Sequence, residues 1–249
     1  MDYSKYTMSF KDLGFVLLKS AAVTLVIAFL FYDSIIPLII FPLVFVYIFR
    51  QYKADAVIKQ KQRLTEEFMN ALKILSANLL AGYSVENAWK EAEGEMHMMY
   101  GENSLMLAEI RDMNRKIKLN QTFEQVLSEF ADRTEVEDIV NFADIFSFAK
   151  RSGGSFVDII ESTTYRMWTK YDTNRQIEVS VSAKKLEQKT MNYIPIVLLA
   201  FLKIASYDYM SALYRNFTGI IFMTICLGAY AMAMKLANRI LSVNIGISK

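Results

Sequence analysis

The chain has 249 residues, is 53% hydrophobic and 22% charged, and carries a net charge of +2. One Cys and one His exclude a disulfide framework, a Cys-based zinc site and a multi-His metal centre. Nine Gly and three Pro exclude collagen-like and Pro-rich chains, and no basic run marks a partner nucleic acid.

The spread of charge says more than its total. Residues 50–190 hold 20 basic and 22 acidic side chains, 42 of the 54 in the chain. The other 108 positions hold 12. An apolar N-terminal block, a charged middle and an apolar C-terminal block follow, and the middle is long enough to bury its own core.

In chain order, the first apolar run covers 13–31, with Lys19 near its N-terminal end, from where the side chain can snorkel. The second covers 35–49 and contains Pro37 and Pro42. Asp33-Ser34 predicts a tight turn between them. A membrane-spanning helix takes roughly 20 apolar residues, about 17 at the least. The first run meets that alone; the second needs its flanks. No small-residue cleavage site precedes the charged middle, so the first run reads as an uncleaved anchor.

The middle contains no Pro and repeats apolar residues at helical spacing. One stripe is Leu64, Phe68, Leu72, Leu75 and Leu79; others run from Phe123 to Phe130, from Ile139 to Ala149 and from Phe156 to Met167. A short motif recurs. Gly82-Tyr-Ser84, Asn120-Gln-Thr122 and Gly153-Gly154-Ser155 start 38 and 33 residues apart. Gly or Asn tolerates the left-handed conformation that ends a helix, and Ser or Thr caps the next one. Asn87, Gln125 and Asp158 stand where a reciprocal capping partner belongs. Each copy predicts a helix–turn–helix corner, and together they predict five or six helices between 54 and 190. The polar stretch 166–189 reads as a stalk leading to the third apolar run.

That run covers 194–205, begins at Pro195 and holds Lys203; the fourth covers 219–234, and residues 207–216 link the two. Tyr32, Tyr47, Tyr52, Tyr193, Tyr207 and Tyr209 stand near run ends, as interfacial aromatics do. Lys and Arg crowd the outer ends of both run pairs, while Arg215 is the lone basic residue in the two turns. The positive-inside rule then places both termini and the middle in the cytoplasm. The expected fold is all-α: an integral membrane protein whose two transmembrane hairpins, in 1–52 and 191–249, flank a cytoplasmic antiparallel helical bundle over 53–190.

Chemistry is hard to find. No P-loop pattern exists, and Gly153-Gly154-Ser155 lacks the following Lys. His97 falls in what reads as a loop after a helix, and Cys226 lies inside the fourth run as a small hydrophobe. Trp89 reads as core. Lys203 is expected to snorkel, with no acidic residue mid-span to pair with it. Asp132, Glu135, Glu137 and Asp138 are expected to open a helix and complement its dipole, with partner docking as the other use of that cluster. No catalytic, cofactor-binding or metal-binding residue is expected.

The order of 75–80, Ala81-Gly82-Tyr-Ser84, Ala88, 123–127, Ala149-Lys-Arg-Ser-Gly153-Gly154-Ser155 and Pro195 resembles the type II secretion system protein F domain family. A single copy between two pairs of apolar segments is similar to the TadB or TadC type of Tad pilus platform. The resemblance implies a non-enzymatic inner-membrane platform without cofactors. It would work with a cytoplasmic secretion ATPase of the CpaF or GspE kind, with pilin subunits, and with a sister platform protein or further copies of itself. The rival expectations are a permease subunit served by a separate ATPase and a membrane-anchored helical scaffold or signalling protein.

Overall fold

The computed structural model describes residues 3, 8, 10–152 and 156–243. Among them every regular element is a helix, and no strand occurs. The elements are α1 (Phe10–Ile27), a π-helical turn (Ala28–Tyr32), a 3-10 turn (Ile36–Ile40), α2 (Phe41–Leu80), α3 (Val85–Tyr100), α4 (Leu105–Lys118), α5 (Phe123–Thr134), α6 (Glu137–Ser152), α7 (Phe156–Ala205), α8 (Tyr207–Arg215) and α9 (Phe217–Val243). The chain divides into two compact units. Unit 1 is Met1–Thr7 with Lys53–Thr173, and unit 2 is Met8–Tyr52 with Asn174–Lys249.

Unit 1 is a helical bundle with a continuous apolar core. Leu64, Phe68, Leu72, Leu75 and Leu79 of α2 are all buried, because their spacing puts them on one face. Helices adjacent in sequence pack together, α3 on α4, α4 on α5 and α5 on α6. Aromatic rings tie the bundle across its layers. Phe68 meets Phe142 edge-on at 5.7 Å and lies 6.1 Å from Phe130. Trp89, fully buried, meets Phe123 at 5.1 Å, and Phe123 meets Phe146 at 4.9 Å. Edge-on and tilted pairs at these separations add to the burial of the rings themselves.

The corners show how helices reverse. Gly82 has φ +90°, a conformation that strains any residue with a Cβ. The Tyr83 N–H reaches the Asn78 carbonyl and the Gly82 N–H reaches the Leu79 carbonyl, closing α2 in a Schellman motif. Ser84 then caps α3, its hydroxyl accepting the Asn87 N–H. Asn120, at φ +66°, closes α4 with the same pair of bonds, from Gln121 to Lys116 and from Asn120 to Ile117. Thr122 and Gln125 form a reciprocal capping box at the start of α5. Gly153, Gly154 and Ser155 lie outside the described residues.

Unit 2 joins apolar helices to the polar stretch of α7 from Asn174 to Lys189. Three described helices are long and apolar enough to cross a membrane, Phe10–Tyr32, Ile36–Leu80 and Phe217–Ile240. The run over 194–205 forms the end of α7 and is not among these three. Its Pro195 sits inside the helix, where it has no N–H to bond the preceding turn. The expected linker over 207–216 is instead mostly helix, α8, since its residues include good helix formers and an apolar face. Gly219 lets α9 approach α8 closely: a Cβ there would stand 2.0 Å from the Leu213 carbonyl oxygen.

Candidate functional site

Three polar constellations stand out against this framework. The first is buried in unit 1. Glu67 shares the buried face of α2 with Leu64 and Phe68 and is 1% exposed. Its carboxylate accepts from the Ser104 hydroxyl (2.9 Å), the Met106 N–H (2.9 Å) and Arg63 Nε (2.8 Å). A carboxylate at the first turn of α4 satisfies an orphan N–H and meets the positive end of the helix dipole. Ser104 also caps α4 directly, accepting the Leu107 N–H.

Beside it, Glu109 is buried on α4 and pairs with Arg133 of α5 at 2.6 Å. The phenol of Tyr3, fully buried, donates to Glu109 at 2.9 Å across 106 residues of sequence. Burial, reinforced by the Glu109 charge, pushes the Tyr3 phenol well above its ordinary range. The hydrogen bond to Glu109 holds the Arg133 guanidinium charged even more firmly. These residues were not singled out from the sequence. The available signal was an acid at a stripe position: Glu67 three residues after Leu64, and Glu109 three after Met106.

The second constellation is the acidic group, which straddles a corner and does not open one helix. Asp132 lies in the last turn of α5, and Glu135 closes that helix with φ +51°. Only Glu137 and Asp138 stand in the first turn of α6. Dipole complementarity therefore accounts for two of the four; Asp132 stands at the negative end of its own helix. Asp132, Glu135 and Glu137 line a shallow depression with Ala131, Val140 and Asn141. Cations of the same unit already meet two of the acids. Lys170 of α7 pairs with Asp138 at 2.8 Å, which raises the lysine above its ordinary range, and Lys61 of α2 lies 3.9 Å from Glu135.

The third constellation corrects the expectation for Lys203. Its side chain is buried, not snorkelled, and its ammonium lies 2.6 Å from the Asp33 carboxylate. It also donates to the Phe29 carbonyl and sits 3.5 Å from the centre of the Phe29 ring. The partner was missed because it is 170 residues away and outside the apolar run. Asp33, at φ +45°, ends the π-helical turn, and that geometry aims its side chain at α7. The Tyr214 hydroxyl of α8 donates to the nearby Leu30 carbonyl at 2.7 Å.

His97 lies within the last turn of α3 rather than in a loop, 3.4 Å from Glu102. The helix runs on through Gly94, with Ala92 and Met96 on either side of it buried. Trp168 is partly buried under the Lys73 ammonium, 3.0 Å from the ring centre. No group of three or more His, Cys, Asp and Glu able to hold a metal occurs among the described residues. No family model, curated protein or solved structure matches the chain.

Proposed function

We propose that this chain is an inner-membrane platform of a Tad-type pilus, type IV-like pilus or type II secretion machine. Its helical bundle faces the cytoplasm and engages the secretion ATPase, and its apolar helices engage pilin. The observation that carries the reading is the path of the chain through its two units. Tyr3 belongs to the bundle, residues 8–52 to the apolar unit, residues 53–173 to the bundle again, and the remainder to the apolar unit. Residues that leave the bundle after Tyr3 and rejoin it at Lys53 fit an even number of crossings between them.

Hydrogen bonds within unit 2 support two hairpins. Tyr52 donates to Asp12 at 3.0 Å, and Gln188 donates to Asn238 at 3.0 Å, pairing the near ends of the helices. Lys203 with Asp33, and Tyr32 with Thr224 at 3.0 Å, pair the far ends. The 20-odd residues from Asp12 to Asp33 extend about 30 Å as helix, the hydrocarbon thickness of a bilayer. On this reading the end of α7 is a fourth crossing, its exposed Val197, Leu198, Phe201 and Ile204 facing lipid. The sequence order of Ala81-Gly82-Tyr-Ser84, 123–127, Gly153-Gly154-Ser155 and Pro195, similar to the secretion F domain, supplies the functional class.

Deleting the gene from its host tests the reading: loss of surface pili or of the secreted substrate is expected, and a normal complement would refute it. Capture of the neighbouring ATPase by the full-length protein in detergent tests the partner. A second reading, a permease subunit, is favoured by the buried Lys203 ammonium and its ion pair with Asp33, since ionisable groups among apolar helices often mark a pathway. Solute flux into vesicles that is abolished by Lys203→Met would favour it over the platform.

A further inference from the structure

The middle of the chain is nearly neutral in bulk, yet its C-terminal margin is not. Lys184, Lys185 and Lys189 occupy little more than one turn and a half of α7, and all three are exposed. Lys235 and Arg239 stand one turn apart on α9, also exposed. Neither helix alone carries a cluster of note. The Gln188–Asn238 hydrogen bond brings the two segments to one level in unit 2. From 184 to 192 the one acid is Glu187, and from 230 to 243 there is none.

The apolar boundary lies next to this cluster. The Tyr230 hydroxyl donates to the Asn192 carbonyl at 2.7 Å, and Tyr193 is exposed beside it, an arrangement suited to a membrane interface. Lys189 lies about 5 Å from that level along its helix, and Lys235 about 8 Å. The polar headgroup layer on each side of a bilayer is of the same depth. Ammonium groups held at that depth on two adjoining helices face phosphate, not hydrocarbon or bulk water.

We infer that the adjoining margins of α7 and α9 form a binding site for the headgroup of an anionic phospholipid, with Lys189 and Lys235 at headgroup depth as the recognising cations and Lys184 and Lys185 reaching toward it from the next turn. The inference rests on the membrane reading of unit 2. A juxtamembrane lysine near an anionic surface is worth roughly a fivefold change in affinity.

The test uses the full chain in nanodiscs of phosphatidylcholine with and without phosphatidylglycerol, with retained lipid counted by native mass spectrometry. The wild-type protein is expected to retain phosphatidylglycerol in preference to phosphatidylcholine. The triple variant Lys185→Gln, Lys189→Gln, Lys235→Gln is expected to lose that preference by tenfold or more. Lys→Arg at the same positions should keep it, as should Lys90→Gln with Lys118→Gln in unit 1. Equal retention of the two lipids by the wild type would overturn the inference. So would an unchanged triple variant, or an equal loss in the unit 1 control, which would mean bulk charge alone. The wild-type and Lys→Arg measurements decide the matter even where the triple variant fails to fold. Failure of the protein to enter any bilayer, seen as extraction by alkaline carbonate, would instead defeat the membrane reading itself.

Discussion

Units 1 and 2 share a helical backbone and sort their side chains in opposite directions. In unit 1 the large apolar residues lie inside, as Phe68, Phe130, Phe142 and Phe146 do, and most charges lie outside. In unit 2 Phe15, Leu18, Leu25, Phe201 and Phe222 lie outside. The inward face of α1 is Val16, Ser20 and Thr24, and the hydroxyls of the last two bond carbonyls of their own helix. Water drives the first arrangement, since exposed apolar area is costly there. The second suits a solvent as apolar as leucine, where small and polar residues mediate packing and every polar group needs an internal partner.

The contrast is sharpest for one substitution made in both places. Phe142→Ala empties a ring site in the centre of unit 1 and should cost about 3–5 kcal/mol. Thermal unfolding of the detergent-solubilised full chain would read this as a large drop in midpoint. A loss under 1 kcal/mol would mean that the bundle core is not packed as described. Next in size is Lys203→Met, which removes a buried ammonium together with its bonds to the Phe29 carbonyl and the Asp33 carboxylate, and should cost about 1.5–3 kcal/mol. Adding Asp33→Asn should add little to that loss, because the interaction it would remove is already gone. Additive losses in the double variant would break the proposed coupling.

Tyr3→Phe removes a hydrogen bond to a charged acceptor and should cost about 1.5–3 kcal/mol. It also tests a pH dependence. The folded phenol holds its proton above the ordinary tyrosine range. Its stabilisation is therefore complete below about pH 10 and is lost as pH rises beyond that, because the unfolded state releases the proton first. The decline in bundle stability above pH 10 should be shallower in Tyr3→Phe than in the wild type; an unchanged slope would mean that Tyr3 is not buried. Thr122→Ala opens the capping box of α5 and should cost about 1 kcal/mol. Smallest of all, Phe201→Ala, on the exposed side of unit 2, should change stability in detergent by less than about 0.5 kcal/mol. A loss as large as that of Phe142→Ala would erase the contrast between the units.

Much of this was open to reading from residue order. Helical character follows from the 3.6-residue spacing of Leu64, Phe68, Leu72 and Leu75, and the apolar ends follow from run length. The corners at 82–84 and 120–122 are likewise local devices, since a left-handed residue and a cap act within one turn of themselves. The acidic group was misplaced because a helix boundary at Glu135 depends on one left-handed residue that carries no glycine to announce it.

What the amino-acid order determined by itself was composition, periodicity and the sites where helices end, all of which operate over distances of a few residues. Tertiary structure alone decided which charges are buried. Glu67 finds Ser104 and Met106 nearly 40 residues on, Glu109 finds Tyr3, and Lys203 finds Asp33 across 170 residues. An isolated charge in an apolar stretch looks like an error or an exposed end until its counter-charge is brought to it. That pairing is a property of packing, because the desolvation of one group is offset only by the position of the other.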